Sequence, residues 1–339
     1  MAMKVSEMGE FRLVELLTKI AEEGQDKQPA LRQQLVIGIG DDAAAWRSDA
    51  LINLATVDCL VQDVHFTLDM TTWNELGWKS LAISLSDIAA MGGIPQYAIV
   101  SLGLPGDTEV DDVADLYRGM IELGNRFGVA IIGGNTSDAA IVFISTSVFG
   151  SATGDNKILT RSAARVGDRI AVTGSLGAAA AGLEMLKKKM PLDSETGASL
   201  RQAFLCPHPR IAEGQLLAEK GIKAAIDISD GLIADLNHLC RASQVGARLD
   251  IDRIPIHPAV KRAFDDKSLE MALSGGEDYE LLFTASAEVI DRVKAKFSLP
   301  ITVIGEVVDD KTGRVTLVDR EGKPYKPAGT GWQHFVARG

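Results

Sequence analysis

Apolar residues recur at helical spacing over residues 9–23, where Phe11, Val14, Leu17 and Ile20 share a face and Gly24 closes the segment. Short apolar runs at 35–39 and 51–58 predict two strands around a turn rich in Asp and Ala. Thr72-Trp-Asn-Glu75 has capping-box spacing and predicts a long helix to about Met91, stopped by Gly92, Gly93 and Pro95. On that helix Leu81, Leu85 and Ile88 form an apolar stripe, while Ser80, Ser84 and Asp87 form a polar one. The polar stripe reads either as a solvated face or as part of a site. A strand at 96–103 follows, then a helix capped by Thr108 and running to about Phe127. Strand 128–132 enters Gly133-Gly134-Asn135-Thr136, read as an ordinary turn or as a close backbone approach to phosphate. Another strand is predicted at 141–149.

Residues 150–168 loosen into turn formers and mark the expected boundary between domains 1–152 and 153–339. Beyond it come strand 169–173, a Gly/Ala helix at 175–189, a break at Cys206-Pro-His-Pro209, and a helix at 211–220. Strand 222–226 leads through Asp227-Ile-Ser-Asp-Gly231 into an amphipathic helix, 232–242. Strands near 247–251, 279–284 and 301–307 alternate with helices near 258–265 and 287–297. The pattern is that of a mixed α/β protein in two halves, without a fixed-period repeat.

Length agrees, since 339 residues at roughly 150 per domain suggest about two domains. A formal net charge of −11 excludes a nucleic-acid binder, which needs a basic face. It also weighs against a phosphate-rich substrate unless cations accompany it. Cys59, Cys206 and Cys240 are too scattered for a disulfide framework or a thiolate zinc site, and fit a reducing compartment. The N-terminus has no apolar secretory core and no apolar run approaches a membrane span, so the expectation is a cytoplasmic protein without a membrane partner.

Four acidic or glycine-rich segments stand out: Gly38-Ile-Gly-Asp41-Asp42, Ser84-Leu-Ser-Asp87, Asp227-Ile-Ser-Asp230-Gly231 and Ser274-Gly-Gly-Glu277-Asp278. The first imitates a dinucleotide fingerprint, but the stretch from Ala43 to Asp58 is too short for the required crossover helix. Asp41 and Asp42 would also face a pyrophosphate directly. With Mg2+ between them the same acids become hard oxygen ligands. Asp227–Gly231 imitates an EF-hand start, yet Gly231 stands where a ligand is needed and the helix follows at once. A strand–DxSDG–helix layout instead sets two carboxylates and a hydroxyl at a helix N-terminus, where backbone N–H groups could also hold phosphate. The plainer alternative is that Asp230 only caps the helix. His65, Arg161 and Trp332 taken singly read as structural or surface residues. No Walker loop, HRD or DFG triplet, GxSxG or HExxH occurs. From the residues alone the chain is a metal-dependent, phosphate-handling α/β enzyme.

The joint pattern goes further. GIGDDAA (38–44), Thr56-Val-Asp58 with His65-Phe66, KSLAISLSDIAAMGG (79–93), GGNTS (133–137), LTRSAARVGD (159–168), DISDGL (227–232) and SGGEDYELLF (274–283) follow one another in order. Weak singly but specific together, they resemble the thiamine-monophosphate kinase family of the aminoimidazole ribonucleotide synthetase superfamily, over about residues 10–335. The resemblance implies a two-domain α/β fold, with an N-terminal half-barrel completed by dimerisation and a C-terminal α/β domain. It implies phosphoryl transfer from ATP to thiamine monophosphate with several Mg2+ ions. Carried over by motif, Asp42, Asp58, Asp87 and Asp230 would be catalytic as Mg2+ ligands, with Thr56, Val57, Asn135 and Asp227 as further metal contacts. Gly134, Asn135, Arg161, Ser229 and Tyr117 would contact ATP, and His65, Glu277 and Trp332 the thiamine phosphate.

Two positions depart from the family pattern. Asn135 stands where an Asp is usual, and Val57 can offer only a backbone carbonyl. The alternatives are another ATP-using enzyme of the superfamily, such as selenophosphate synthetase, or a catalytically silent Mg2+- or nucleotide-binding module. A reactive N-terminal Cys marks the former, whereas the first Cys here is Cys59, in a strand.

Overall fold

The computed structural model describes residues 3–8, scattered positions between 13 and 23, 35–37, 45–46, 52–152 and 158–332. The chain forms two compact units, one of Met1–Ile88 with Gly93–Gly154, the other of Ala89–Gly92 with Asp155–Gly339.

In the first unit a short helix α1 (Val5–Met8) and a two-stranded ladder, β1 (Leu35–Ile37) with β2 (Ala45–Trp46), precede the main sheet. That sheet comprises β3 (Ile52–Val61), β4 (Ile94–Leu104), β5 (Ala130–Asp138) and β6 (Phe143–Ala152) in the order β3-β6-β4-β5. Only the β4–β5 pair is parallel. Helix α2 (Trp73–Ala90) starts as its capping box requires. The Thr72 N–H donates to Glu75 Oε2 at 2.8 Å, and the Glu75 N–H donates to Thr72 Oγ1 at 3.2 Å. It ends in a Schellman turn: Gly92, at φ 69°, donates to the Ala89 carbonyl and Gly93 to that of Ile88. Helix α3 (Val110–Phe127) begins one residue later than read, after Glu109 rather than Thr108, and no side chain caps it. The two helices pack at glycine: a methyl on Gly77 would overlap the Leu116 carbonyl, and one on Gly119 the carbonyl of Asn74.

Two readings change here. The polar stripe of α2 is not solvated: Ser80 and Ser84 are fully buried, and Ser84 Oγ donates to the Thr146 carbonyl of β6 at 2.9 Å. The glycines at 133–134 make no turn either. They lie inside β5, where Gly134 pairs with Val100 so closely that any Cβ would overlap the Val100 carbonyl oxygen. Glycine is needed there for strand-to-strand approach.

The second unit holds a seven-stranded sheet. Its strands are β7 (Arg169–Thr173), β8 (Ala224–Asp227), β9 (Gly246–Asp250), β10 (Leu281–Ala285), β11 (Ile301–Val308), β12 (Val315–Val318) and β13 (Pro324–Tyr325), in the order β13-β12-β9-β11-β7-β10-β8. Pairing is antiparallel except between β12 and β9. Helices α4 (Ala178–Lys188), α5 (Ser194–Leu205), α6 (Ile211–Glu219), α7 (Leu232–Ser243), α8 (Pro258–Phe264), α9 (Ser268–Ser274) and α10 (Ala287–Lys294) accompany it. One core joins sheet and helices, with Val172, Ile226, Leu249 and Leu282 against Leu236 of α7 and Leu273 of α9. Helix α5 was not anticipated, although Asp193 caps it by accepting the Thr196 N–H at 2.9 Å.

Candidate active site

Strand alternation fixes what the first unit can offer. Thr56 and Asp58 are two apart on β3 and therefore share a face. On that face Thr56 Oγ1 donates to Asp87 Oδ2 of α2 at 2.5 Å, and Asp58 is hydrogen-bonded to Ser84 and Asp87. Burial, with the Asp87 charge second, pushes the Asp58 carboxyl from 3.8 up to about 6. Directly across the ladder from Asp58, the Thr146 hydroxyl is buried with no partner among the described residues.

Val57 projects from the opposite face and is 58% exposed. Asn135 is also on that face, because register runs Cys59–Ser145–Ser101–Asn135 across the sheet. Three strand spacings of ~4.8 Å put it about 14 Å from β3, so this unit does not gather Asn135 with Asp58 and Asp87. Gly134 shares the Asp58 face on the far edge strand. Tyr117 is buried in α3, with its phenol pushed up to about 12 by desolvation. After β3 the chain turns tightly, and His65 Nδ1 accepts the Val61 N–H at 3.1 Å. Asp42 lies outside the described residues.

The second unit collects more of the candidates. Strand β8 ends at Asp227, which is buried, and helix α7 opens five residues later at Leu232. Two other segments dock on the loop between them. The Glu277 N–H donates to the Ser229 carbonyl at 2.7 Å, and the Trp332 N–H to the Asp230 carbonyl at 2.9 Å. Asp227, Ser229, Asp230, Glu277 and Trp332 are thus brought together, and the Trp332 side chain is 41% exposed. Loop 274–280 holds Gly276, Glu277 and Tyr279 all at positive φ, strain of the kind found at binding sites. Arg161 is exposed beside Thr160, which bridges to Ala224 at the start of β8.

Three acids to which the sequence assigned no role shape this unit: Asp278 and Glu280, which lie within the motif at 274–283, and Asp235, which lies outside every motif named above. Asp235 Oδ2 accepts the N–H groups of Ser229, Asp230 and Gly231 at 3.0, 3.0 and 3.1 Å. The amides considered above as a phosphate cradle are therefore already taken by an internal carboxyl, which burial first and then Asp227 and Asp230 push up to about 8. Asp278 does the same at α4, accepting the N–H groups of Gly177 and Ala179 at 2.8 and 3.3 Å. Its carboxyl is pushed up to about 7, chiefly by burial. Glu280 is buried, accepts from Thr173 Oγ1 at 2.6 Å and forms a two-point ion pair with Arg210. A sequence signal existed for Asp235, a lone acid on the buried stripe of Leu232, Leu236 and Leu239.

No group of three or more His, Cys, Asp or Glu residues forms a ready metal cage among the described residues. The donors are nonetheless of the right kind. Thr56, Asp58 and Asp87 supply hard oxygens with excess negative charge, as do Asp227 and Asp230, which suits Mg2+. The buried, unpartnered Thr146 hydroxyl beside Asp58 is a further oxygen.

Residues 40–152 match the family model described as AIR synthase related protein, N-terminal domain, and residues 165–318 its C-terminal counterpart. The thiamine-monophosphate kinase of Salmonella typhimurium is 38% identical over 92% of this chain and 95% of its own. The chain belongs to the thiamine-monophosphate kinase family. Among solved structures, the family enzyme of Stenotrophomonas maltophilia K279a superposes with a TM-score of 0.80 at 33% identity, covering 90% of this chain and 96% of that one. A structure of AaThiL complexed with AMPPCP and TMP superposes with a TM-score of 0.75 at 32% identity, covering 98% of this chain and 99% of that one. The mixed α/β, two-domain architecture is that of the family, as its motifs imply.

Proposed function

We infer that the chain transfers the terminal phosphoryl group of ATP to thiamine monophosphate, giving ADP and thiamine diphosphate. What carries this is near-full-length likeness to a relative solved with AMPPCP and TMP. The acceptor is a phosphate monoester with a second pKa near 6, so it is already largely ionised at pH 7 and needs no strong general base. The task left is to bring two anions together with attacking and leaving oxygens in line, which supports direct transfer without a phosphoenzyme.

Asp42, Asp58, Asp87, Asp227 and Asp230 are proposed as Mg2+ ligands, with Thr56 and the Val57 carbonyl alongside; Asn135, on the opposite sheet face about 14 Å from β3, stays outside this set. Bound Mg2+ would offset phosphate charge and align the oxygens. Ser229, Arg161 and Gly134 are proposed to contact ATP. Burial of Tyr117 makes it a wall rather than a hydrogen-bonding contact. His65 accepts a backbone N–H at Nδ1, so a neutral ring carries its proton on Nε2, and it is proposed to contact the thiamine phosphate. Exposed Trp332 offers a π-face to a cationic heterocycle, and Glu277 a counter-charge.

Residues 1–152 are proposed as the nucleotide, Mg2+ and dimerisation domain, and 153–339 as the C-terminal α/β domain. A homodimer is supported by the sheet face on which Val57 is 58% exposed beside the half-buried Ile99, Ser145 and Ser147. Among the described residues no helix is long and apolar enough to cross a membrane, and all three cysteines are free, which supports a cytoplasmic setting.

The test is Mg2+-dependent ADP release with thiamine monophosphate against free thiamine and other phosphates. No release with any acceptor would refute the kinase reading, and preference for free thiamine would reassign the substrate. Retention of configuration at the transferred phosphorus would refute direct transfer.

A further inference from the structure

The loop from Ile228 to Gly231 has every backbone polar group engaged. Its four carbonyls accept, in order, from the N–H groups of Tyr279, Glu277, Trp332 and Asp235. The Ile228 N–H donates to the Glu280 carbonyl. The remaining three N–H groups all donate to one oxygen of one side chain, Asp235 Oδ2. Beyond these bonds, Ile228 anchors the loop by burying its side chain in the core.

Asp235 differs from a helix cap. It lies within the first turn of α7, is 3% exposed, and folds back onto the residues that precede the helix. Three consecutive N–H groups converging on one point form a nest, a backbone concavity that binds anions. Here the acceptor is built in, and burial, with the Asp227 and Asp230 charges after it, pushes its carboxyl up to about 8. A cap serving stability alone would be met by an exposed acceptor at lower desolvation cost. A buried carboxyl wrapped by three amides fits a loop whose acids must be held in one fixed arrangement.

We propose that Asp235 is a positioning residue, fixing the Ser229–Gly231 backbone so that Asp227 and Asp230 present their carboxylates as a preset pair to a divalent cation and Ser229 its hydroxyl to the nucleotide. It rests on the function inferred above. Outer partners that orient metal ligands are typically worth 10–100-fold in metal affinity or activity when removed.

The test compares wild type, Asp235→Asn and Asp235→Ala. Asn keeps size and one oxygen acceptor but puts an NH2 donor where the carboxyl has its second oxygen; Ala loses all three contacts. Amide hydrogen exchange at 229–231 should accelerate in both variants. The Kd for Mg2+–AMPPCP by calorimetry and the half-saturating Mg2+ in the ADP-release assay should rise about tenfold in Asn and further in Ala. The KM for thiamine monophosphate should stay within about threefold, a split that general loss of structure would not give. A folded Asp235→Asn protein within twofold of wild type in both Mg2+ measurements overturns the proposal, as does loss of kcat at unchanged Mg2+ dependence. If the Ala variant does not fold, the Asn variant decides alone. Wild type that binds Mg2+–AMPPCP but releases no ADP with thiamine monophosphate refutes the kinase reading instead, and the calorimetric comparison still judges Asp235.

Discussion

Replacing Asp58 by Asn should make the metal-free protein more stable while disabling it. Asp58 shares its pocket with Asp87, and burial together with that neighbouring charge lifts its carboxyl from 3.8 to about 6. A group whose pKa is raised on folding contributes stability that is fully present below the unfolded value and is lost as pH rises through the folded one. For Asp58 the loss therefore runs between about pH 4 and pH 6 and is complete by pH 7. Moving a carboxyl from 3.8 to about 6 corresponds to about 3 kcal/mol. Asp58 is only partly buried, so solvent screening lowers this to about 1–3 kcal/mol. The amide would remove the buried charge and its repulsion by Asp87 while keeping the shape. At pH 8 with chelator the variant should be more stable by about 1–3 kcal/mol, a few degrees in Tm at roughly 2–4 °C per kcal/mol. At pH 4 the gain should nearly vanish, because wild-type Asp58 is then already neutral. Added Mg2+ should stabilise wild type at pH 8 and the variant much less, and turnover should fall at least about tenfold. Thermal unfolding at pH 4, 6 and 8, with and without Mg2+, reads all of this. A variant no more stable than wild type at pH 8, or equally stabilised at every pH, would refute the repulsion account.

In the second unit, Asp278→Asn should flatten the pH dependence of stability. Wild type should lose about 2 kcal/mol more than the variant between pH 5 and pH 8 in urea titrations, since burial raises this carboxyl to about 7. Equal slopes would contradict that. Arg210→Met should cost about 3–5 kcal/mol by urea unfolding, because Glu280 would remain buried without its cation. Adding Glu280→Gln should recover part of the loss. Gly134→Ala should destabilise by about 1–3 kcal/mol with or without nucleotide, because the methyl meets the Val100 carbonyl. A variant of normal stability that merely binds ATP less well would return Gly134 to a purely phosphate-facing role.

What the sequence disclosed was mostly local. The Thr72–Glu75 box and the Gly92 stop work through neighbours three to five residues apart, so the bounds of α2 were legible from the chain. Gly133-Gly134 was misread because a glycine demanded by a neighbouring strand looks, in one dimension, like a glycine demanded by a turn. Helix α5 escaped because Gly197 and the polar Ser194–Ser199 stretch hide its buried residues, Leu200, Phe204 and Leu205, at the C-terminal end. Strands β12 and β13 are four and two residues long; β12 takes its pairing from the distant β9, and β13 pairs only with β12.

The harder distinction lies among the acids. Spacing gives Asp227, Asp230 and Asp235, or Glu277, Asp278 and Glu280, as equivalent carboxylates. The fold separates them by what already occupies their oxygens. Asp235 is committed to three amides, Asp278 to two, and Glu280 to Arg210 and Thr173. A carboxylate so committed cannot also be a principal metal or substrate ligand without dismantling the loop it holds. That sets Asp235, Asp278 and Glu280 apart as structural acids, while Asp227, Asp230 and Glu277 are proposed as site residues on the family motifs. The side chains of Asp278 and Asp235 at the starts of α4 and α7 also take those N–H groups from any phosphate. With a net charge of −11 and those amides already occupied, a metal is proposed to bring most of the positive charge that meets ATP. On that reading, the acidity that first weighed against a phosphate substrate becomes the means of recruiting the cation.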